Sequence, residues 1–396
     1  MAFGFGKMLL SSKQQREAKI LRHSILDNFQ HVEDPRTGRR RDHNFIAIIS
    51  ITILAVLAGA DGFVAIETYG KAKQKWLETF LDLPYGIPSH DTFGRILGQI
   101  SPEQFEKAFQ SWVQTMTEKL SLELIHIDGK TLRGSYDREQ KLKALHTVTA
   151  WSSEHNLVLG QQKVESKTNE IKAIPLLLNL LDLKVSIVTF DAMGTQIEIV
   201  KQIKNAGGDY VCALKGNQGK LCQQVEQWFQ KAQINHWQGI DHSYDIQIQS
   251  GHHRIEKRQV WSVPITQLPL LHRQKQWLGL TTVVMVSSER QLWNKTTQEV
   301  RFYISSLEKD ASKHNQVIRS HWSIENSLHW VLDVTFSEDK SRIRIGHAPE
   351  NLALIRRLTV SLLKAEPSRQ SLTMKRYKAA LDNDFLLKIL EANIVS

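Results

Sequence analysis

The order of apolar segments between residues 122 and 214 is the feature that most constrains the fold of this chain. Three short segments rich in aliphatic and β-branched residues come first, and segments with helical spacing then alternate with two more of them. We predict strands at 122–127, 145–151, 157–164, 185–190 and 210–214. Because three consecutive strands precede the alternating part, the sequence predicts a mixed α/β sheet flanked by helices.

The segments on either side of this core follow other patterns. Residues 1–118 have the apolar spacing of helices and predict an all-helical N-terminal domain. Residues 240–308 alternate polar and apolar side chains, which predicts a β-rich insertion inside a core domain of residues 119–350. Residues 351–396 predict a basic, helical C-terminal tail.

The most apolar stretch, residues 45–60, is too short to cross a membrane. A spanning helix needs about 18–20 apolar residues, so we predict a buried core helix, with a membrane segment as the alternative. The N-terminal segment lacks the apolar centre of a signal peptide. The two cysteines, Cys212 and Cys222, exclude a disulfide framework. We therefore expect a cytoplasmic protein without a membrane partner.

The charge of the chain suits a polyanionic partner. It has 51 Lys and Arg residues against 41 Asp and Glu, a net charge of +10. Many basic proteins bind no polyanion, so the charge alone does not decide the partner. Arg39, Arg40 and Arg41 form a basic run after a turn signal. A solvated loop and a patch that contacts phosphates are equally compatible with this run.

Two aspartates follow predicted strands. Asp128 comes directly after the first strand and Asp191 directly after the fourth. Either one alone is typical of a turn. If these two strands lie side by side, both carboxylates reach one crevice at the sheet edge where α/β proteins bind ligands. An all-oxygen site of this kind suits Mg²⁺ or Mn²⁺.

A third carboxylate comes from residues 318–344, which predict a long helix. His321, Glu325 and His329 are spaced four residues apart and therefore share one helical face. A half-exposed helix with an ordinary surface Glu is the alternative interpretation. We predict that Glu325 completes the site, and Asp333 is the alternative. Glu338 and Asp339 are weaker candidates because they fall in a predicted loop.

Several sequence motifs carry a family resemblance. The segments IHIDGKTLRGS, VTFDAMGTQ, GHHRIEKR and RSHWSIENSLHWVLDVTFSED resemble bacterial insertion-sequence DDE transposases, within the H-repeat-associated group. DPRTGRRRDH, LAGADGF and GIPSHDTFGR resemble the helical N-terminal domain of the same group. The resemblance implies a ribonuclease H-like core with a β insertion before the third acid. It assigns Asp128, Asp191 and Glu325 as the catalytic, metal-binding triad of a DNA transposase.

The resemblance also implies partners and a location. Double-stranded DNA of the element ends and the target is the expected partner. A homodimer is compatible with the sequence, which leaves the oligomeric state open. The chain is then a bacterial cytoplasmic protein that lies on the nucleoid when it is bound to DNA. The predicted DNA-binding residues are Arg39, Arg40, Arg41, Lys130, Arg133, His321, Lys340, Arg342 and Arg344.

The chain departs from the wider superfamily around its third acid. That superfamily often carries Tyr, Arg and Lys at fixed spacings around the Glu, where this chain has Ile318, His321 and Leu332. We expect Lys340, Arg342 and Arg344 to supply the missing positive charge.

Three alternatives to an active transposase stay open. A structure-specific nuclease on the same core makes no strand-transfer product. A transposase relic binds DNA without metal-dependent cleavage. A two-carboxylate glycosidase is insensitive to chelators, and the basic charge argues against it.

The basic run near the N-terminus provides a first test. If Arg39, Arg40 and Arg41 contact phosphates, replacing them with alanine lowers the slope of log affinity against log salt by about 0.9 for each lost contact. Fluorescence anisotropy with labelled duplex DNA at several NaCl concentrations measures this slope. An unchanged slope contradicts the predicted role.

Overall fold

The computed structural model describes residues 11–38, 41–117, 120, 123–136, 143–164, 170–251 and 254–392. Its N-terminal part is helical, as the sequence predicts. The helices are α1 (Ser12–Leu21), continued by a π turn (Arg22–Leu26) and α2 (Asp27–Phe29), then α3 (Phe45–Leu57), α4 (Phe63–Leu77), α5 (His90–Gln99) and α6 (Pro102–Thr117). Polar caps begin several of them: Asn44 accepts from the Ile46 N–H, and Ser89 accepts from the Thr92 N–H.

The helix α3 is a core helix. Its residues from Ala47 to Leu57 are buried, so the prediction for this apolar stretch is confirmed. Among the residues that the structure describes, no helix is long and apolar enough to cross a membrane.

Nine strands form one continuous sheet. They are β1 (Leu124–Leu132), β2 (Leu145–Ser152), β3 (Leu157–Val164), β4 (Ile187–Phe190), β5 (Asp209–Leu214), β6 (Ser243–Gly251), β7 (Arg254–Pro264), β8 (Thr282–Leu292) and β9 (Lys295–Ser305). Their order across the sheet is β3-β2-β1-β4-β5-β9-β8-β7-β6.

The first five strands have the topology of a ribonuclease H-like core. β1, β2 and β3 form an antiparallel meander, and β4 and β5 continue the sheet parallel to β1. The helices α7 (Glu170–Leu178), α8 (Ile197–Asn205) and α9 (Gly219–Ile234) alternate with the strands after β3. The predicted fold class is confirmed, and the first and fourth strands do lie side by side.

The β-rich insertion extends the same sheet. β9 pairs antiparallel with β5, from Val211↔Ser305 to Leu214↔Phe302, and β8, β7 and β6 follow outward. The insertion is therefore joined to the core by main-chain hydrogen bonds as well as by its two connections.

Two strand boundaries differ from the predictions. β1 continues to Leu132, because Asp128 pairs with Thr149 and the residues after it also pair with β2. Only the parallel pairing with β4 stops before Asp128, at Ile127↔Phe190. β4 begins at Ile187 rather than 185, because Val185 has a φ of 67° and cannot extend the strand.

The predicted long helix is broken into parts. α10 (Ala311–His321) is followed by a π-helical turn (Glu325–His329), α11 (Trp330–Val334) and a 3₁₀ turn (Glu338–Lys340). The prediction of one continuous helix through Glu325 to about Asp333 is therefore wrong, and the loop predicted around Glu338 and Asp339 is a 3₁₀ turn. Ser337 has a φ of 50° and separates α11 from the 3₁₀ turn. π turns are rare and often occur at functional sites.

The C-terminal helices belong to the core. α12 (Ala348–Ala365) packs against α3, α5, α6 and β3, and α13 (Leu372–Leu381) and α14 (Asn383–Glu391) follow it. Thirteen consecutive residues of α12, from Asn351 to Leu363, are buried. The predicted basic tail is thus an internal helix whose arginines lie inside the protein.

The buried Arg357 links several elements. Its guanidinium lies 3.2 Å from the Glu338 carboxylate and donates to the hydroxyls of Thr147 and Thr149 on β2. Arg356 lies 3.9 Å from the same carboxylate, and both side chains of the Arg357–Glu338 pair are fully buried. The segment after α11 is therefore tied to both the sheet and α12.

Glu338→Gln tests this network. The change leaves two buried guanidinium groups without their carboxylate, which costs about 3–5 kcal/mol of unfolding free energy. Urea unfolding followed by circular dichroism measures the loss. Glu391→Gln, which removes the carboxylate of the surface pair with Arg16, is the matched control and has a much smaller effect. Equal effects of the two changes contradict the assignment.

Candidate active site

The two predicted aspartates lie at one edge of the core sheet. Asp128 is the first residue of β1 beyond its parallel pairing with β4, and Asp191 directly follows β4. The Asp128 Oδ1 accepts the Gly129 N–H at 2.9 Å. The Asp191 Oδ1 accepts the N–H groups of Met193 at 3.0 Å and Gly194 at 3.3 Å. These bonds fix both side chains relative to the sheet.

The π-helical turn brings two more groups to Asp128. One ligand atom each of Asp128, Glu325 and His329 lies within 4.8 Å of the other two. The His329 Nδ1 is 3.4 Å from the Asp128 Oδ2 and 3.6 Å from the Glu325 Oε2. Glu325 and His329 therefore share one face of the turn, and this face lies toward the sheet edge that carries Asp128.

The carboxyl groups of Asp128 and Glu325 lie close enough to shift each other's pKa. Burial, together with the charges of the Glu325 and Asp191 carboxylates, raises the pKa of Asp128 to about 8. The hydrogen bond with His329 lowers the pKa of Glu325. Burial lowers the pKa of His329. Near neutral pH without a metal ion, one proton thus resides on Asp128 beside an ionised Glu325.

The donor set fits a divalent cation. Two adjacent carboxylates and an imidazole are common ligands, and a cation removes the repulsion that otherwise keeps Asp128 protonated. Asp191 is not part of the compact cluster. Its charge nevertheless acts on Asp128, and it lies at the end of the adjacent parallel strand.

The alternative third acids have other partners. The Lys130 Nζ donates to both oxygens of Asp333 at 2.7 Å. Asp339 pairs with Arg133 at 3.4 Å, and Glu338 belongs to the buried arginine network. Of the candidate acids, Glu325 is the one beside Asp128, and its catalytic role stays a prediction.

The predicted DNA-binding residues lie in several settings. Arg39 and Arg40 fall outside the described residues. Arg41, Arg133, Lys340 and Arg342 are exposed. The guanidinium of Arg344 lies 5.6 Å from the centre of the Tyr136 ring. Lys130 is buried by its pair with Asp333, so contact with DNA requires that pair to open. The DNA contacts of all these residues stay predictions.

His321 takes part in a buried hydrogen-bonded chain. The Thr189 Oγ1 lies 2.8 Å from the His321 Nδ1 and 2.7 Å from the His126 Nδ1. Burial lowers the pKa to about 4 for His321 and to about 3 for His126, so both rings are neutral. His321 therefore faces the sheet in this structure, and its predicted DNA contact is untested.

Sequence reasoning missed His126 and Thr189. A signal for His126 was present, because residues two apart on a strand face the same side and His126 precedes Asp128 by two. Ile318 and Leu332, which stand at the superfamily's Tyr and Lys positions, are buried core residues. Neither position can present a charged side chain to DNA without repacking the core.

Comparison with known families agrees with this fold. The family model described as "Transposase DDE domain" matches residues 120–363, and the model "DDE_Tnp_1-associated" matches residues 26–113. The chain belongs to the DDE transposase family.

Two curated relatives cover nearly the whole chain. "Putative transposase YncI" of Escherichia coli O157:H7 is 40% identical over 93% of this chain and 94% of its own length. "H repeat-associated putative transposase YhhI" of Escherichia coli K12 is 37% identical over 94% of this chain and 99% of its own. A piggyBac transposase synaptic complex with hairpin DNA is a distant structural neighbour, with a TM-score of 0.45 and 11% identity over 95% of this chain and 79% of its own.

The raised pKa of Asp128 predicts a pH-dependent stability. Folded protein holds a proton on Asp128 up to pH about 8, whereas the unfolded chain loses it near 3.8, so this contribution to stability is lost as pH rises between these values. Asp128→Asn removes the effect. We expect the variant to gain on the order of 4 kcal/mol relative to wild type between pH 5 and pH 8 in chelator.

Chemical unfolding at several pH values measures this difference. Added Mn²⁺ then stabilises the wild type more than Asp128→Asn, because only the wild type has the full donor set. Asp91→Asn, at a site whose side chain is 91% exposed, is the control and behaves as wild type. An identical pH dependence of wild type and Asp128→Asn contradicts the raised pKa.

Proposed function

We propose that this protein is a metal-dependent DNA transposase that cuts DNA at insertion-sequence ends and joins the freed ends to target DNA. In this proposal Asp128, Asp191 and Glu325 hold Mg²⁺ or Mn²⁺. The observation that carries it is the approach of Glu325 to Asp128, at the sheet edge where Asp191 ends the adjacent parallel strand. Family membership supports the same conclusion.

The proposed reaction has two steps on phosphorus. A water oxygen attacks the phosphorus at the element end, the bond from phosphorus to the 3′ oxygen breaks, and a 3′-hydroxyl and a 5′-phosphate form. That hydroxyl then attacks a target phosphodiester, its proton passes to solvent, and the target 3′ oxygen leaves. Bound divalent cations supply nucleophile activation and charge stabilisation for such steps.

The residues of the chain contribute by positioning. His329 is buried beside both carboxylates of its cluster and restrains their rotation. The buried Lys130 holds α11 through Asp333, eight residues after Glu325. Positioning of this kind dominates catalysis in phosphoryl transfer, because the protein needs to supply little covalent chemistry.

The proposal includes partners and an assembly. Double-stranded DNA of the element ends and the target is the substrate, which agrees with the basic charge of the chain. Joining two element ends requires two reaction centres, so we propose a homodimer in which each chain supplies one.

Cleavage assays on amide variants test the proposal. The substrate is DNA from the regions flanking the gene, where inverted repeats bounded by short direct duplications mark the element ends. Asp128→Asn, Asp191→Asn and Glu325→Gln each lower single-turnover cleavage by about a thousandfold, which corresponds to ~4 kcal/mol. An amide is an uncharged and poorer metal ligand, whereas DNA binding is largely spared.

Asp333→Asn is the matched comparison. It loosens the contact with Lys130 without removing a proposed ligand, so we expect at most a tenfold effect, ~1.4 kcal/mol. Near-normal cleavage by Glu325→Gln together with an inactive Asp333→Asn shows that the third acid is wrongly assigned. Cleavage without strand transfer by the wild type indicates the nuclease, and DNA binding without cleavage in Mg²⁺ indicates the relic.

A further inference from the structure

A deep groove lies between the β-rich insertion and the helical segment that carries Glu325. Its volume is about 880 Å³, and its walls come from β6 to β9 on one side and from residues 319–327 on the other. Six cationic side chains and three carboxylates line it, so it has a positive excess. None of these cationic side chains is among the residues for which the sequence predicts DNA contacts.

The strand register places most of the charged side chains on one face of the sheet, whereas Lys257 and its partner Glu289 alternate to the other face. Arg258 on β7 is opposite Gln247 on β6 and Ser288 on β8, and Ser288 is opposite Glu299 on β9. Directly opposed residues project to the same side. Arg319 on α10 reaches this face of the sheet and donates a hydrogen bond to the side-chain oxygen of Gln249 on β6.

Some cations of the groove already have carboxylate partners. Arg301 forms two hydrogen bonds with Glu299, at 2.7 Å and 2.9 Å, and its guanidinium lies 4.8 Å from the centre of the Trp322 ring. Arg254 pairs with Glu256 at 2.9 Å. The charges of Arg301 and Arg254 are therefore balanced by these glutamates, and both side chains are held in place.

Arg258 and Arg319 differ from Arg301 and Arg254 because, among the described residues, they have no directly paired carboxylate. In the part of the chain that the structure describes, neither has a carboxylate within ion-pair distance, and the buried Nε of Arg258 has no hydrogen-bond partner. Burial lowers the pKa of Arg258 most. Tyr303 and Glu256 oppose this shift, whereas the charges of Arg319 and Arg301 add to it. Neighbouring cations without a directly paired carboxylate repel each other, and an anion that binds between them relieves this repulsion.

We infer that this groove binds the phosphate backbone of a DNA strand, with Arg258 and Arg319 as its phosphate contacts. Guanidinium groups match phosphate oxygens in geometry and in charge. The inference rests on the proposed function, because the substrate that reaches the carboxylate site must continue along the protein surface.

The position of the groove favours this occupant over a free anion. Ser323 and Asn326, on either side of Glu325 in sequence, line the groove. Trp322 and Arg301 line both the groove and a second cavity that contains Asp191. An extended polyanion that enters the groove therefore passes directly to the candidate active site, and a single small anion has no need of such length.

Salt-dependent DNA binding tests the inference. The probe is a fluorescein-labelled 30-bp duplex with flanking sequence from the gene, measured by anisotropy in EDTA from 50 to 300 mM NaCl. Arg258→Gln and Arg319→Gln each lower the slope of log affinity against log salt by about 0.9. Each also weakens binding about eightfold at 0.1 M NaCl, and the double variant loses about twice the slope.

A control and a second readout separate this role from a structural one. Arg369→Gln, an exposed arginine before α13, removes the same charge elsewhere and leaves the slope unchanged. Because Arg258 has no direct ion-pair partner among the residues that the structure describes and burial disfavours its charge, Arg258→Gln keeps or raises the unfolding midpoint. A large loss of stability with an unchanged salt slope overturns the inference and identifies a structural arginine.

The outcomes also separate this inference from the proposed function. Wild-type protein that binds the duplex, with both variants indistinguishable from Arg369→Gln, overturns the groove and leaves the transposase proposal intact. Wild-type protein that binds no DNA in this range contradicts both proposals. In that case a separate assay of metal-dependent cleavage by the wild type shows whether the carboxylate site acts on a phosphodiester substrate other than this duplex.

Discussion

The parallel pairing of β1 with β4 is the constraint on which the site depends. It ends at Ile127↔Phe190, so the next residue on each strand, Asp128 and Asp191, stands at the same sheet edge. Glu325 must then come from a different part of the chain, which requires the segment after α10 to be held against that edge. Two buried ionic contacts do this, Lys130 with Asp333 and Arg357 with Glu338. The geometry of the cluster is thus a consequence of backbone pairing together with a few buried charges.

Much of the core could be predicted from the sequence because its signals are local. Strand periodicity, the apolar α3 and the caps at Asn44 and Ser89 depend on neighbouring residues, and the predicted adjacency of the first and fourth strands is correct. The π-helical turn could not be predicted, because its backbone geometry depends on packing against β1. The burial of α12 was missed for a similar reason: Arg356 and Arg357 look like surface charges until the distant Glu338 is placed beside them.

The candidate site likewise has residues that could be predicted from the sequence and residues that could not. Asp128, Asp191 and Glu325 could be selected because two of them follow adjacent predicted strands and the family resemblance assigns all three, although each alone has an ordinary interpretation. The Lys130–Asp333 pair and the His126–Thr189–His321 chain join residues up to about two hundred positions apart, and no spacing rule in a single sequence connects them. The groove arginines were missed because alternation along β7 predicts a two-faced strand without showing which face meets α10.

The continuity of the nine-stranded sheet has a mechanical consequence. Four interstrand spacings separate β5 from the outer strand β6, a lever of about 19 Å at the usual spacing of neighbouring strands. A tilt of about 3° about β5 moves the outer edge by about 1 Å and moves β1, two spacings away on the opposite side, by about 0.5 Å. Because hydrogen bonds join the strands throughout, a displacement of the outer strands reaches the core through strand pairing as well as through the two chain connections.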